Sequence, residues 1–225
     1  MNIEHIFFDL DHTLWDFDKN SKLTFQQIFK EQDIQLEIVE FLEVYMPINL
    51  EYWRLYREDK VTKSVLRYSR LKDAFNAVNY KISDTLINTI SEDYIKYLPN
   101  HNHLFEGAIE VLEYLKQKYE LHIITNGFEE VQILKMQKSG IAKYFKEVIT
   151  SESVGVKKPN PKVFEFALMK AKTTPKNSLM IGDSYEADVM GALKIGMLAI
   201  HFTNGSNTKQ GILSVESLLA LKKYV

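Results

Sequence analysis

The 225-residue sequence predicts an α/β protein, with a doubly wound parallel sheet and a helical segment inserted near its start. Short apolar runs rich in β-branched residues alternate with amphipathic stretches of helical length, which is typical of buried parallel strands joined by crossover helices. The segment from about residue 17 to residue 97 shows helical spacing and no clear strand. The alternation therefore indicates a Rossmann-like core, and the exception indicates a second, helical domain.

Composition excludes several kinds of function. The net charge is −2 and no basic stripe runs along any predicted element, so a nucleic-acid polymer is not expected as a partner. Cysteine is absent, so a metal site must use oxygen or histidine ligands. No apolar stretch approaches the roughly 20 residues that span a bilayer, and no signal peptide is recognised. We expect a cytoplasmic protein without a membrane partner, and the oligomeric state is not predicted.

The strands can be placed from their apolar runs. The first is His5-Ile6-Phe7-Phe8, which ends abruptly in Asp9 and Asp11. The later candidates share its buried, β-branched character, and they are 121–124, 148–149, 179–181 and 198–200.

Helices are expected between these strands. Asn160 followed by Pro161 predicts a helix start, because asparagine caps a helix well and proline suits its first turn. Gly140 and Gly196 stand where helices should end. Two amphipathic faces support this assignment, one formed by Ala108, Val111, Leu112 and Leu115, the other by Val163, Phe164, Ala167 and Leu168.

The helical insert divides the chain into two predicted domains. Residues 1–16 and 100–225 are expected to form the α/β core, and 17–99 the helical domain. Apolar side chains at helical spacing mark the insert, such as Phe25, Ile28 and Phe29, or Leu71, Phe75 and Val78.

Polar residues follow three of the predicted strands at their carboxyl ends. Because these ends meet at one edge of a parallel sheet, the side chains are expected to converge on a ligand crevice. The residues are Asp9 and Asp11 after the first strand, Thr125-Asn126-Gly127 after the second, and Gly182-Asp183-Ser184 with Glu186 and Asp188 beyond.

Converging carboxylates repel one another, since two unit charges 4 Å apart cost about 4 kcal/mol at an effective dielectric near 20. A cation would relieve the repulsion, and an all-oxygen site suits Mg²⁺ better than zinc. Raised carboxylate pKa values are the alternative. Lys158, just before Pro159, is a candidate to contact a phosphate, with Thr125 and Asn126 as further donors.

These segments, in this order, resemble the haloacid dehalogenase superfamily of phosphohydrolases. Asp9-Leu10-Asp11-His12-Thr13-Leu14 is close to the DxDGTL signature of that family, with His12 at the usual glycine. Thr125 after a strand, Lys158 before Pro159, and Gly182-Asp183 with Asp188 complete the match, which covers nearly the whole chain.

The resemblance implies a role for each residue. Asp9 is the expected nucleophile, and Asp11 the general acid and base. Asp183, the Asp9 side chain, the Asp11 main-chain carbonyl and Asp188, directly or through a neighbour, are the expected Mg²⁺ ligands, while Thr125, Asn126 and Lys158 bind the phosphate. The insert is expected to be a cap that excludes water and selects the leaving group.

Within the superfamily, Asp11 to Phe17 and Thr125 to Phe128 look most like the pyrimidine 5'-nucleotidase branch. The expected activity is therefore Mg²⁺-dependent hydrolysis of a small phosphate monoester. Three alternatives stay open at this point: a sugar-phosphate or phosphoglycolate phosphatase or phosphomutase, a 2-haloacid dehalogenase, and a silent phosphate-binding module. The dehalogenase would leave Asp11 without a use, because attack on carbon needs neither metal nor general acid.

Overall fold

The computed structural model describes residues 2–205 and 210–225, and within them a six-stranded parallel sheet forms the centre of the core. The strand order 3-2-1-4-5-6 is that of a doubly wound fold, so the predicted fold class is confirmed. The strands are β1 (His5–Phe8), β2 (Glu120–Thr125), β3 (Phe145–Thr150), β4 (Ser178–Gly182), β5 (Leu198–Phe202) and β6 (Ser214–Val215).

The strand order places a topological switch point at β1. From β1 the chain adds β2 and β3 on one side and then β4 to β6 on the other, which opens a crevice between β1 and β4. Phe8 pairs with Ile123 of β2 and Ile181 of β4. The residues that follow these three positions are therefore level with one another at the carboxyl edge of the sheet.

Helices connect the strands of the core. Asn160 caps one of them by accepting a hydrogen bond from the Lys162 N–H, and Pro161 is its first residue, as predicted. Gly140 and Gly196 follow helices with positive φ angles of 74° and 84°. In our numbering, which leaves α1 to α4 for the insert, these helices are α5 (Ala108–Leu115), α6 (Glu129–Lys138), α7 (Ser151–Val154), α8 (Pro161–Ala171) and α9 (Gly191–Lys194).

One face of the sheet packs against α8. Phe7, Ile124 and Met180 from three neighbouring strands form a buried cluster with Val163 and Phe164 of the helix. Each is essentially inaccessible to solvent. This packing fixes the strands whose ends carry the polar residues, because a well-packed interior resists displacement.

A second compact unit comprises residues 18–101, and the core unit comprises 1–17 and 102–225. Four helices account for most of this second unit, and no β-strand is found in the part of it that the structure describes. None of the described helices has the length and apolar content that crossing a bilayer needs. The four are α1 (Phe17–Glu31), α2 (Ile38–Arg57), α3 (Lys63–Ala77) and α4 (Asp84–Tyr97).

The two chain segments that lead out of the core unit and back into it are hydrogen-bonded to each other. The Asp16 N–H donates to the His103 carbonyl at 3.1 Å, and the Phe105 N–H donates to the Leu14 carbonyl at 3.0 Å. Trp15 of the outgoing segment pairs with Leu104 of the returning one and is completely buried. The outgoing and returning segments are therefore joined by backbone hydrogen bonds within the core unit.

Aromatic packing holds the helical unit together. Phe25 is completely buried, and its ring centroid lies 5.0 Å from Phe41, 4.7 Å from Tyr45 and 4.8 Å from Tyr94. These contacts join α1, α2 and α4. The aromatic enrichment of the insert therefore builds a core, as large side chains do in small domains.

We expect Phe25→Ala to destabilise the protein by about 3–5 kcal/mol, because it removes a buried ring and leaves a cavity. Urea unfolding followed by circular dichroism measures the change. Val39 is 55% exposed in the same unit, so Val39→Ala should change stability by less than about 0.5 kcal/mol. Equal effects of the two substitutions would contradict the proposed role of the aromatic cluster.

Candidate active site

The loop after β1 is a tight turn organised around one backbone carbonyl. The Leu10 carbonyl accepts hydrogen bonds from the N–H groups of Leu14 and Trp15, both at 2.9 Å. His12 has a φ of 60°, in the left-handed region that glycine adopts most easily. The glycine usual at this position in the superfamily thus has a conformational reason, and histidine is among the residues that tolerate it.

Asp9 is positioned by the sheet itself. Its N–H donates to the Ile181 carbonyl of β4 at 2.9 Å, so the β1–β4 pairing continues one residue past β1. The Asp9 side chain is 13% exposed. Burial, followed by the negative charges of Asp188 and Asp11, raises the pKa of Asp9 to about 7, although the Lys158 ammonium opposes the rise.

Lys158 joins the two sides of the crevice. Its buried ammonium lies 2.7 Å from Asp9 Oδ1 and 2.6 Å from Asp188 Oδ1, and it donates to the Ile124 carbonyl at 2.6 Å. Burial disfavours the charged form, but the carboxylates of Asp188 and Asp9 outweigh it and raise the pKa of Lys158. Lys158 is therefore a fixed positive charge beside Asp9.

Asn126 holds the Lys158 backbone in place. Its Oδ1 accepts from the Lys158 N–H at 2.8 Å, and its Nδ2 donates to the Lys158 carbonyl at 3.0 Å. This pair of bonds ties the β2 end to the loop before α8. Asn126 thus orients Lys158. The sequence predicted Asn126 as a phosphate ligand and did not predict these bonds to Lys158.

Asp183 follows β4 and is bound by Thr13. The Thr13 hydroxyl donates to Asp183 Oδ1 at 3.2 Å and accepts from the Asp183 N–H at 3.1 Å. The Asp183 carbonyl lies 2.8 Å from His201 Nε2. Burial and the charges of Asp9 and Asp188 raise the pKa of Asp183 well above its ordinary value.

Asp188 lies on a π-helical turn, Tyr185–Met190, and points back toward β4. Its Oδ2 accepts from the Ser184 N–H at 3.0 Å. A side chain at Gly182 would collide with the Asp188 carboxylate, so glycine is needed there for the close approach. In the Gly182-Asp183 pair, the glycine thus makes room for the Asp188 carboxylate, and the aspartate forms hydrogen bonds with Thr13.

Asp9, Asp183 and Asp188 form a group that fits a hard divalent cation. Their carboxylate oxygens lie within 4.8 Å of one another. Three carboxylates are the type of ligand that Mg²⁺ prefers. Burial is the main cause of the raised pKa values of Asp9 and Asp183, and repulsion from the neighbouring carboxylates, which a cation would relieve, adds to it. The Asp11 side chain is not part of this group.

Asp11 instead points to α6. Its Oδ1 lies 2.6 Å from Lys135 Nζ, and its Oδ2 accepts from Gln132 Nε2 at 3.0 Å. Lys135 is buried and its ammonium lies 4.2 Å from the centroid of the Trp15 ring. The two aspartates of the loop therefore face different partners, which gives them different electrostatic surroundings.

Sequence reasoning missed Gln132 and Lys135. They are three residues apart on the buried face of α6, a place where a polar pair is unusual. Two polar residues on the apolar face of a helix are the sequence signal that could have identified them. Gln132 also donates to Thr125 Oγ1 at 2.7 Å, so it links Thr125 to Asp11.

Comparison with known proteins identifies the relatives of this chain. Residues 6–202 match the family model of the haloacid dehalogenase-like hydrolases. Pyrimidine 5'-nucleotidase YjjG of Escherichia coli is 31% identical over 214 residues, covering 93% of this chain and 90% of that protein. A glyceraldehyde 3-phosphate phosphatase of Methanothermobacter thermautotrophicus is 30% identical over 206 residues, covering 88% of this chain and 84% of that protein.

A solved structure shows the same architecture. The HAD-hydrolase YfnB of Bacillus subtilis, determined bound to magnesium, superposes with a TM-score of 0.90 at 25% identity, covering 100% of this chain and 99% of that one. The fold, the polar residues at the strand ends and the family match all indicate the same family. This chain belongs to the haloacid dehalogenase-like hydrolases.

Proposed function

We propose that this protein is a Mg²⁺-dependent phosphatase that hydrolyses small phosphate monoesters through a phosphoaspartate on Asp9. The observation that carries the proposal is the separation of Asp9 and Asp11. Asp9 lies against Lys158 at 2.7 Å, whereas Asp11 lies against Lys135 at 2.6 Å. A nucleophile and a general acid are thereby supplied two residues apart, with a separate cation beside each.

In the first step, an Asp9 carboxylate oxygen attacks phosphorus and the bond to the leaving oxygen breaks. Asp11 donates a proton to that oxygen, so the leaving group departs as an alcohol. In the second step, Asp11 takes a proton from water, the water oxygen attacks phosphorus, and the bond to Asp9 breaks. Inorganic phosphate is released, and both carboxyl groups return to their starting states.

Lys158 and Thr125 supply the positive surroundings of the phosphoryl group. Phosphoryl transfer gains mainly from positioning and from neutralising charge on the equatorial oxygens. The Thr125 hydroxyl already accepts hydrogen bonds from Gly127 N–H at 3.1 Å and Gln132 Nε2 at 2.7 Å. Both of its acceptor positions are thus used, and its hydrogen remains to donate to the phosphate.

The proposed metal ligands are the Asp9, Asp183 and Asp188 carboxylates, together with the Asp11 main-chain carbonyl. Mg²⁺ bound there supplies positive charge against the carboxylates and the phosphoryl oxygens. Asp188 also contacts Lys158, so its charge is shared between the lysine and the metal site.

We propose pyrimidine nucleoside 5'-monophosphates as substrates. The support is the similarity of residues 11–17 and 125–128 to that branch and the 31% identity to a pyrimidine 5'-nucleotidase over nearly the whole chain. Selectivity for the leaving group is assigned to the helical insert, residues 17–99, as a cap. A sugar-phosphate phosphatase is the second candidate, favoured by the 30% identity to a triose-phosphate phosphatase.

We expect phosphate release from pyrimidine nucleoside monophosphates to exceed that from purine nucleotides, triose phosphates and phosphoglycolate. A panel of these substrates, assayed with Mg²⁺ and with excess EDTA, measures both parts of the proposal. EDTA should abolish turnover, and added Mg²⁺ should restore it.

The panel separates the alternatives. A preference for sugar phosphates would overturn the substrate class and leave the reaction unchanged. Mg²⁺-dependent phosphate binding without turnover on any monoester would indicate a silent module. Chloride release from 2-chloropropionate that resists EDTA would indicate a dehalogenase and would overturn the phosphatase proposal.

A further inference from the structure

A second group of metal-ligating side chains lies at the opposite end of the sheet from the candidate active site. His5 opens β1, and Glu120 and His122 lie at the start of β2. Asp9 comes four positions after His5, which corresponds to about 13 Å along a strand. This group is therefore not part of the site described above.

Strand register brings the three side chains to one face. His5 pairs with Glu120 across β1 and β2, and Phe7 pairs with His122. Alternate residues of a strand point to the same face, so His5 and Phe7 share theirs with Glu120 and His122. The two imidazole rings stack with their centroids 5.3 Å apart.

Two of the distances between ligand atoms are close to those of a tetrahedral metal site. His5 Nδ1 lies 3.1 Å from His122 Nε2 and 3.6 Å from Glu120 Oε2. One ligand atom from each of the three residues lies within 4.8 Å of the other two. Ligand atoms bound to zinc at about 2.0–2.1 Å stand roughly 3.4 Å apart in a tetrahedron. The observed separations bracket that value.

Burial and charge also suit a metal. His5 and His122 are buried, whereas Glu120 is exposed, so a fourth position is open to water. Glu120 already pairs with Lys146, whose ammonium is 2.8 Å from both carboxylate oxygens. Both partners are about half-exposed, and such a surface pair is held weakly enough for a cation to compete.

We propose that His5, Glu120 and His122 bind a divalent transition-metal ion of the Zn²⁺ type, with water as the fourth ligand. Two imidazoles and one carboxylate form a donor set that zinc uses in proteins. His122 Nδ1 has no hydrogen-bond partner among the described residues, so the outer contact that usually strengthens a ligating histidine is missing. We therefore expect an exchangeable site.

Bound metal would link β1 to β2 by side chains, at the end of the strands where the chemistry does not occur. A ligand that binds the folded state alone raises stability according to its concentration and affinity. The consequence is a metal that stabilises the core and takes no part in hydrolysis.

Histidine nitrogen NMR tests the proposal directly on the full-length protein. The ¹⁵N-labelled protein, saturated with Mg²⁺ so that the aspartate group is occupied, is titrated with Zn²⁺ alone. We expect His5 Nδ1 and His122 Nε2 to shift as metal-bound nitrogens and the other four histidines to stay unchanged. An unchanged pair of nitrogens would show a hydrogen bond between the two rings and would overturn the proposal.

Variants provide the second test. In calorimetric titrations with Mg²⁺ present, Glu120→Gln and His5→Gln should weaken Zn²⁺ binding by about tenfold or more, since loss of even an outer contact costs about 10–100-fold. Glu165→Gln, an exposed acid-to-amide change on α8, is the matched control and should bind as the wild type does. Zn²⁺ binding that survives both ligand substitutions would overturn the site, whereas phosphatase activity with Mg²⁺ should be the same in all three variants.

Discussion

Asp9→Asn is expected to abolish phosphate release from every substrate, with a loss of about 10⁵-fold or more, of the size seen when a covalent nucleophile is removed. The amide keeps the shape of the carboxylate and cannot form the phosphoaspartate. Lys158 retains Asp188 at 2.6 Å, so the charge balance of the buried lysine is largely kept and the fold should persist. Turnover and melting temperature are the two measurements.

The intermediate offers a sharper readout than the rate. After a single turnover with ³²P-labelled substrate and rapid acid quench, the wild type should carry label and Asp9→Asn should carry none. Intact-mass measurement checks that the introduced asparagine has not deamidated back to aspartate. Glu165→Gln, an exposed acid-to-amide change on α8, should behave as the wild type does, and labelled protein in the Asp9 variant would refute the assigned nucleophile.

Asp11→Asn is expected to lower turnover by about 10²–10⁴-fold, the range of general acid–base catalysis. The first step should suffer least with p-nitrophenyl phosphate, because p-nitrophenolate leaves without a proton. Hydrolysis of the phosphoaspartate still needs a base, so the acid-quenched variant should accumulate labelled protein with this substrate. Unchanged turnover on a nucleotide would contradict the role of Asp11.

Lys135 provides the matched partner for this experiment. If it acts through Asp11, Lys135→Met should lower kcat in the wild-type background and have little effect in the Asp11→Asn background. Lys138→Met, one turn further along α6 and exposed, is the control. Equal losses in both backgrounds would show that Lys135 serves the fold alone.

The fold was predictable from the sequence because its signals are local. The apolar runs at 121–124, 148–149, 179–181 and 198–200 lie within β2 to β5, and the asparagine–proline cap begins α8. Strand β6 was not predicted, since it comprises only Ser214 and Val215. Two residues are too few to show a period.

The sequence predicted which residues lie at the strand ends of the site. It did not predict all of the hydrogen bonds and ion pairs that join them. Sequence order and motif spacing suggested that Asp9, Lys158, Asp183 and Asp188 meet, and the structure brings them together. The bond between Asp11 and Lys135 spans 124 positions and depends on how α6 packs. The placement of Gln132 and Lys135 on the buried face of α6 indicates a polar pair, but the helix alone does not show which distant residue that pair contacts.

The hydrogen bonds between the segments Leu14–Asp16 and His103–Phe105 have a consequence for how the sequence of this protein can vary in evolution. The ends of the helical insert are held next to each other within the core unit, so the insert is a closed loop whose length adds only slowly to the entropy of closure. Helices can be lengthened, shortened or exchanged between these two points without altering the register of β1. If the insert selects the leaving group, as we propose, the catalytic residues and the choice of substrate are encoded in segments of the chain that can vary independently.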